Sequence, residues 1–208
     1  RTAKQARPAV SIPTARGSGV EELEILVDTR ERYAWKFDQQ QATTTPRALA
    51  AGDYAVGVDG DIAAAVERKS LPDLVATLTS GKMRYVLADL AALPSAAVVV
   101  EDRYSSIFKL DRVRPAVVAD ALGECQARFP QVPIVFCETR ALAQEWTYRF
   151  LAAAVVHRRE IAHVESGVHA LPSASASSLA EVRTWERIHG LTVDDRGRIG
   201  RDVLDAVA

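Results

Sequence analysis

Asp28 follows Leu26-Val27, Asp53 follows Gly52, and Glu67 opens the run Glu67-Arg68-Lys69, so acidic side chains collect where short apolar stretches end. Side chains alternate across a strand, which sends Glu67 and Lys69 to one face and Arg68 to the other. Asp59-Gly60, between Tyr54-Ala55-Val56 and Ile62 to Val66, is a hairpin-turn signal. Counting outward from that turn sets Val66 opposite Asp53 and Glu67 opposite Gly52. On a shared face the Asp53 and Glu67 Cβ atoms then stand about 5–7 Å apart, and a single bulge beside Gly52 brings the two residues directly opposite. Carboxylates at that separation repel, so something positive must compensate them. Lys69 is one candidate, and a hard divalent cation with oxygen ligands is the other.

A set of this kind can hydrolyse phosphodiesters. Mg²⁺ held by Asp53 and Glu67 polarises the scissile phosphate and lowers the pKa of a bound water. Lys69 orients that water or stabilises developing negative charge, and Asp28 adds a ligand directly or through water. Taken alone, Asp53 reads as a solvated charge at a strand end, as most charged residues are.

The whole constellation reads differently, because it resembles a family. Leu26-Val27-Asp28-Thr29-Arg30-Glu31, then Gly52-Asp53-Tyr54, then Val66-Glu67-Arg68-Lys69-Ser70-Leu71-Pro72-Asp73 look like the XPF-type structure-specific nuclease domain. The signature of that family is GD, a variable gap, then ERKxxxD, and Asp73 completes it. Glu101-Asp102-Arg103-Tyr104 extends the likeness, which covers roughly residues 24–160. The resemblance implies a restriction-endonuclease-like fold and Mg²⁺- or Mn²⁺-dependent DNA endonuclease activity at branched or flapped junctions. It assigns metal-site roles to Asp28, Asp53 and Glu67, a catalytic role to Lys69 and a necessary one to Arg68. Arg30, as a DNA contact, and Glu31 match the first motif. Family members usually follow the nuclease with tandem helix-hairpin-helix units. The residues after His163 show no such pair, so junction preference and dimer geometry do not carry over.

These residues need a scaffold that alternates strand and helix. Ile25-Leu26-Val27 reads as a short strand, followed by the hairpin. Ser70 caps a helix with Pro72 in its first turn, where a missing N–H costs nothing. Ala96 to Val100 is a buried strand, Pro115 starts a second helix through Arg128, Ile134 to Phe136 is another strand, and a long helix runs from Thr139 to about His163. The expected class is α/β: a mixed sheet flanked by helices, with a small two-helix C-terminal module. Trp146, Tyr148 and Phe150 on the last long helix fit core packing or a dimer face. The expected boundaries are a disordered basic arm over 1–22, the nuclease domain over 23–165, a Ser-Ala linker over 166–177 and a helical DNA-binding module over 178–208.

The C-terminal module has its own pattern. Arg196-Gly197-Arg198 suits a minor groove, where glycine lets the backbone press in and guanidiniums meet the enhanced negative potential of A·T tracts. By itself the triplet is a solvated turn. With Trp185 before it, the piece resembles the DNA-binding domain of actinobacterial nucleoid-bridging silencers, although Gly200 stands where a Pro is expected to open the second helix.

The remaining composition narrows the class. The chain has 208 residues, 48% of them hydrophobic and 25% charged, with a net charge of −1. That is a globular balance, and a near-zero total charge leaves DNA binding to local patches. No apolar run approaches the roughly 18 residues of a membrane span. Cys125 and Cys137 make neither a disulfide framework nor a CxxC site. His157, His163, His169 and His189 lack the i, i+4 spacing of a helical metal pair. The chain begins at Arg1 rather than Met, which leaves room for residues upstream. The expectation is a soluble, reduced, intracellular protein, cytoplasmic and nucleoid-associated, with DNA as partner and a homodimer through the nuclease domain. The rival is a catalytically silent DNA-binding or nucleoid scaffold protein.

Overall fold

The computed structural model describes residues 20–169. Most of the basic arm, the module over 178–208 and its Arg196, Gly197 and Arg198 lie outside the described residues. Val20, inside the stretch expected to be arm, is buried in the core.

Hydrophobic runs bounded by polar ends make every strand but the second. Leu23–Asp28 is β1, Ala42–Arg47 is β2, Tyr54–Val58 is β3 and Asp61–Lys69 is β4. Ala96–Val100 is β5 and Ile134–Phe136 is β6. They form one six-stranded sheet in the order β2-β1-β3-β4-β5-β6. The β1–β3 and β3–β4 pairs are antiparallel, and the other three are parallel. The helices are α1 (Leu71–Thr79), α2 (Met83–Ala91), α3 (Pro115–Arg128) and α4 (Arg140–His169). One compact unit runs through Ala162 and a second begins at His163. β5 is buried at every position, as a parallel strand covered on both faces must be.

Two elements were not expected. β2 is an exposed edge strand whose β-branched Thr43-Thr44-Thr45 favours extension and whose Pro46 lacks an N–H that an edge does not need. α2 buries Met83, Leu87 and Leu90, a helical i, i+4, i+7 stripe. The last helix also continues past His163 to His169, into residues expected to be linker.

The sheet separates two apolar layers. One contains Ile25, Val27, Tyr54, Val56, Ala64, Val66 and Val99 with Trp35, Phe37 and the α4 residues Tyr148, Leu151 and Val155. The other contains Leu26, Ala55, Ala65, Val98 and Val100 with side chains of α1, α2 and α3. Period-2 alternation therefore fixes the side on which each strand-end charge emerges. Asp28, Asp53, Glu67 and Lys69 continue the rows facing the α1–α3 layer. Arg68 and Glu101 continue the rows facing the α4 layer.

The β3–β4 register differs from a simple count. Asp59 (φ 54°) and Gly60 (φ 93°) form the turn, both with the positive φ that a type I′ hairpin requires. The ladder begins Val58↔Asp61 and Gly57↔Ile62, then shifts so that Val56 faces Ala64 and Tyr54 faces Val66. Ala63 is the extra residue, and both Ala63 and Ala64 pack into the α4-side layer. A bulge is present, and it lies near the turn rather than beside Gly52. Continuing the shifted register by one residue sets Asp53 opposite Glu67.

Tyr54 ties the site's strand to the core. Its ring stacks on Trp35 at 4.5 Å between centroids and meets Phe37 edge-on at 5.7 Å. Its hydroxyl accepts the Trp35 backbone N–H at 2.8 Å. Tyr54→Ala should cost about 3–5 kcal/mol by leaving a cavity, and Tyr54→Phe about 1–3 kcal/mol by orphaning that buried N–H. Urea unfolding of both variants checks the order.

Candidate active site

Gly52 makes the approach to Asp53 possible. Its φ is +81°, and a Cβ there would lie 3.0 Å from the Ala65 Cβ and 3.2 Å from the Val66 carbonyl oxygen. Only glycine combines that conformation with that proximity. The Asp53 N–H then donates to the Val66 carbonyl at 2.9 Å, and the Asp53 carbonyl accepts the Asp28 N–H at 2.9 Å. Three strand ends are thereby tied at one place.

Asp53 and Glu67 line a pocket of about 230 Å³ with Arg30, Gly52 and the α2 residues Val86 and Asp89. Burial, and next the neighbouring Glu67 charge, push the Asp53 carboxyl up to about 7. The Arg68 backbone N–H opposes this by donating to Asp53 Oδ2 at 2.7 Å. Lys69 Nζ pairs with Glu67 Oε1 at 2.5 Å. One ammonium thus meets one of the two carboxylates, and Asp53 keeps the unmet charge.

Asp28 stands beside this pair with its oxygens otherwise engaged. Oδ1 accepts the Arg30 backbone N–H at 2.7 Å and its Nε at 2.9 Å. Oδ2 accepts Arg30 Nη2 at 2.7 Å and the Leu49 N–H at 3.2 Å. The Arg30 side-chain bond holds this buried carboxyl down at about 2. Arg30 itself is 74% exposed and lines the pocket, so Asp28 serves as its anchor.

The other sequence-derived residues fall elsewhere. Asp73 sits in the first turn of α1, which Ser70 caps: its N–H donates to Ser70 Oγ at 3.3 Å, and its carboxylate accepts the Ser70 hydroxyl. Glu31 accepts the Tyr33 N–H and pairs with Arg68 at 3.4 Å. The Arg68 side chain leaves the pocket for the opposite face, as alternation requires. The sequence reading missed Asp89, because α2 was not recognised. Its signal was the Met83, Leu87, Leu90 spacing.

The donor set suits a hard divalent cation. Two carboxylates face one another with their repulsion half met, and the donors are oxygens. Among the described residues no three His, Cys, Asp or Glu side chains are gathered to hold a metal by themselves. Water and phosphate oxygens would have to complete the shell, which is the habit of Mg²⁺.

The six-stranded mixed sheet flanked by helices is of the restriction-endonuclease-like class. The chain belongs to the ERCC4-domain family, that of the XPF-type nucleases, whose ERCC4 domain model matches residues 27–150. It is similar in structure to XPF from Aeropyrum pernix, with a TM-score of 0.52 and 21% identity over 65% of this chain and 68% of that one. A second match is XPF from Aeropyrum pernix in complex with DNA, with a TM-score of 0.46 and 18% identity over 82% of this chain and 76% of that one. No curated protein is significantly similar to the chain.

Proposed function

We propose that this chain is a divalent-metal-dependent DNA endonuclease that hydrolyses phosphodiester bonds at branched or flapped DNA. The observation that carries the reading is the convergence of Asp53, Glu67 and Lys69 on one face of the sheet, with Asp53 left short of positive charge. Asp53 and Glu67 would hold Mg²⁺ or Mn²⁺. Such a cation would lower the pKa of its water and draw charge from the scissile phosphate. The Lys69 ammonium can donate to a phosphate oxygen or orient the attacking water, and its tie to Glu67 fixes its direction. Arg30, exposed and anchored by Asp28, offers a guanidinium to the DNA backbone. The test is cleavage of labelled duplex, flap and fork DNA with Mg²⁺, Mn²⁺ or chelator present. Metal-dependent cutting that prefers the branched substrates is expected. Binding without cutting in either metal would instead identify a silent scaffold.

The C-terminal Arg196-Gly197-Arg198 is proposed to grip A·T-rich minor grooves and to keep the protein in the cytoplasm on the nucleoid. Arg196→Ala with Arg198→Ala should weaken binding to A·T-rich duplex and flatten its log–log salt slope by about 1–2. Fluorescence anisotropy across a salt series measures both, and an unchanged slope would reduce the triplet to a turn. Homodimerisation through the nuclease domain is supported by a groove in which Phe136, Cys137, Leu142 and Trp146 lie among the charged Glu138, Glu145 and Arg149, where a second copy can dock.

A further inference from the structure

We propose that Glu101 is a positioning residue for cleavage: it clasps the Arg68 guanidinium behind the sheet and so keeps the Arg68 peptide N–H on Asp53. The inference rests on the endonuclease reading for its consequence and on the geometry of the far face for its substance.

Arg68 has two ends with different work. Its backbone N–H donates to Asp53 Oδ2 at 2.7 Å, on the pocket side. Its side chain crosses to the α4 side, where Nε donates to Glu101 Oε1 at 3.0 Å and Nη2 to Oε2 at 2.9 Å. A two-pronged carboxylate–guanidinium pair fixes orientation as well as distance. Both partners are enclosed, Arg68 at 16% and Glu101 at 13% side-chain exposure, so water does not loosen the pair. The guanidinium also lies 5.8 Å from the Trp35 ring centroid.

Glu101 is fixed in turn from several directions. The Trp35 indole Nε1 donates to its Oε1 at 2.7 Å, and Arg140 at the start of α4 pairs with it at 3.4 Å. Its own N–H donates to the Lys69 carbonyl at 2.9 Å, one step beyond the Lys69↔Val100 pairing. Glu101 therefore holds both residues after Glu67: Arg68 by side chain and Lys69 by backbone. Rotation of the β4 end about its axis would move Glu67 and Lys69 and break the Arg68–Asp53 bond together. The Glu101 clasp opposes that rotation from the side away from substrate.

The experiment uses the full chain, first without metal. Amide exchange followed by NMR compares wild type with Glu101→Gln, which keeps the side chain's size and removes its charge. The Arg68 amide should exchange about tenfold faster or more, while the Ala65 and Val98 amides, bonded to Ser95 and Pro133 carbonyls, keep their rates. Cleavage in Mg²⁺ should fall about 10–100-fold with the DNA dissociation constant unchanged, the scale of other outer-shell losses. Glu101→Gln should add nothing to Arg68→Ala, because Glu101 acts through Arg68. Glu101→Asp, which keeps the charge but shortens the reach, should give an intermediate amide effect and covers a glutamine variant that fails to fold. An unchanged Arg68 amide, an equal acceleration across the sheet, or additive losses in the double variant would each overturn the proposal. A wild-type protein that cuts no DNA would defeat the endonuclease reading alone, and the amide result would still decide the clasp.

Discussion

Glu67→Ala should leave the protein folded and, on the endonuclease reading, lower Mg²⁺-dependent cleavage of flapped DNA on the order of a thousandfold, the scale for losing one electrostatic element of a reaction centre. The fold should survive because Glu67 sits near the end of β4, past the Val66 position that packs in the core. Among the described residues its carboxylate bonds only Lys69, so the deletion frees an ammonium and widens the pocket that Glu67 already lines. Lys69→Ala should reach a similar loss by a different route, and metal titration separates the two. Excess Mn²⁺ should recover part of the Glu67→Ala activity, because Asp53 and water still offer oxygen ligands. It should recover none in Lys69→Ala, where the missing group is a donor. Ca²⁺ should support DNA binding and little cutting, since its looser coordination activates water less well. Quench-flow rates with circular dichroism check both variants, and Glu67→Ala turnover near wild type would sink the assignment.

Much of this site was legible because strand parity is rigid. Once Glu67 and Lys69 share a strand, they share a face, and Arg68 must take the other; the structure places all three so. The turn at Asp59-Gly60 was equally readable, since few dipeptides accept two positive φ values. The bulge position was not, because small side chains pair as readily as they bulge, and the run Ala63-Ala64-Ala65 gives the ladder no bulky marker of register. Asp28 reads as a ligand, directly or through water, by its type and place. Only the three-dimensional structure reveals that Arg30 and Leu49 occupy both oxygens. Glu101 shows the same limit from the other side. A glutamate after a strand carries no sign of its partner, and the Arg68 it grips lies 33 residues away. Contacts of that range come from the parallel β4–β5 crossover, which sequence spacing does not encode.

Asp53→Asn should raise the stability of the metal-free protein at alkaline pH and leave it little changed near pH 4. The cause is the burial and the Glu67 repulsion that push the folded Asp53 carboxyl up to about 7 from an ordinary 3.8. The folded state then holds the proton more tightly than the unfolded chain does. Its contribution is complete below about 3.8 and is lost as pH rises through about 7, after which the penalty is constant. The asparagine carries no such charge and can still accept the Arg68 N–H through its amide oxygen. The difference between variant and wild type should therefore grow from near zero at acid pH to a plateau on the order of 2–4 kcal/mol. Taking that difference cancels the separate acid loss expected as Asp28, held at about 2 by Arg30, is protonated. Mg²⁺ should stabilise the wild type most on the alkaline side, because a cation binds the deprotonated pair, and should do less for the asparagine variant. Urea unfolding from pH 4 to 9, with and without Mg²⁺, gives the curves. A variant-minus-wild-type difference that stays flat across that range would mean that Asp53 carries no unmet charge, and the electrostatic basis for a cation at this site would go with it.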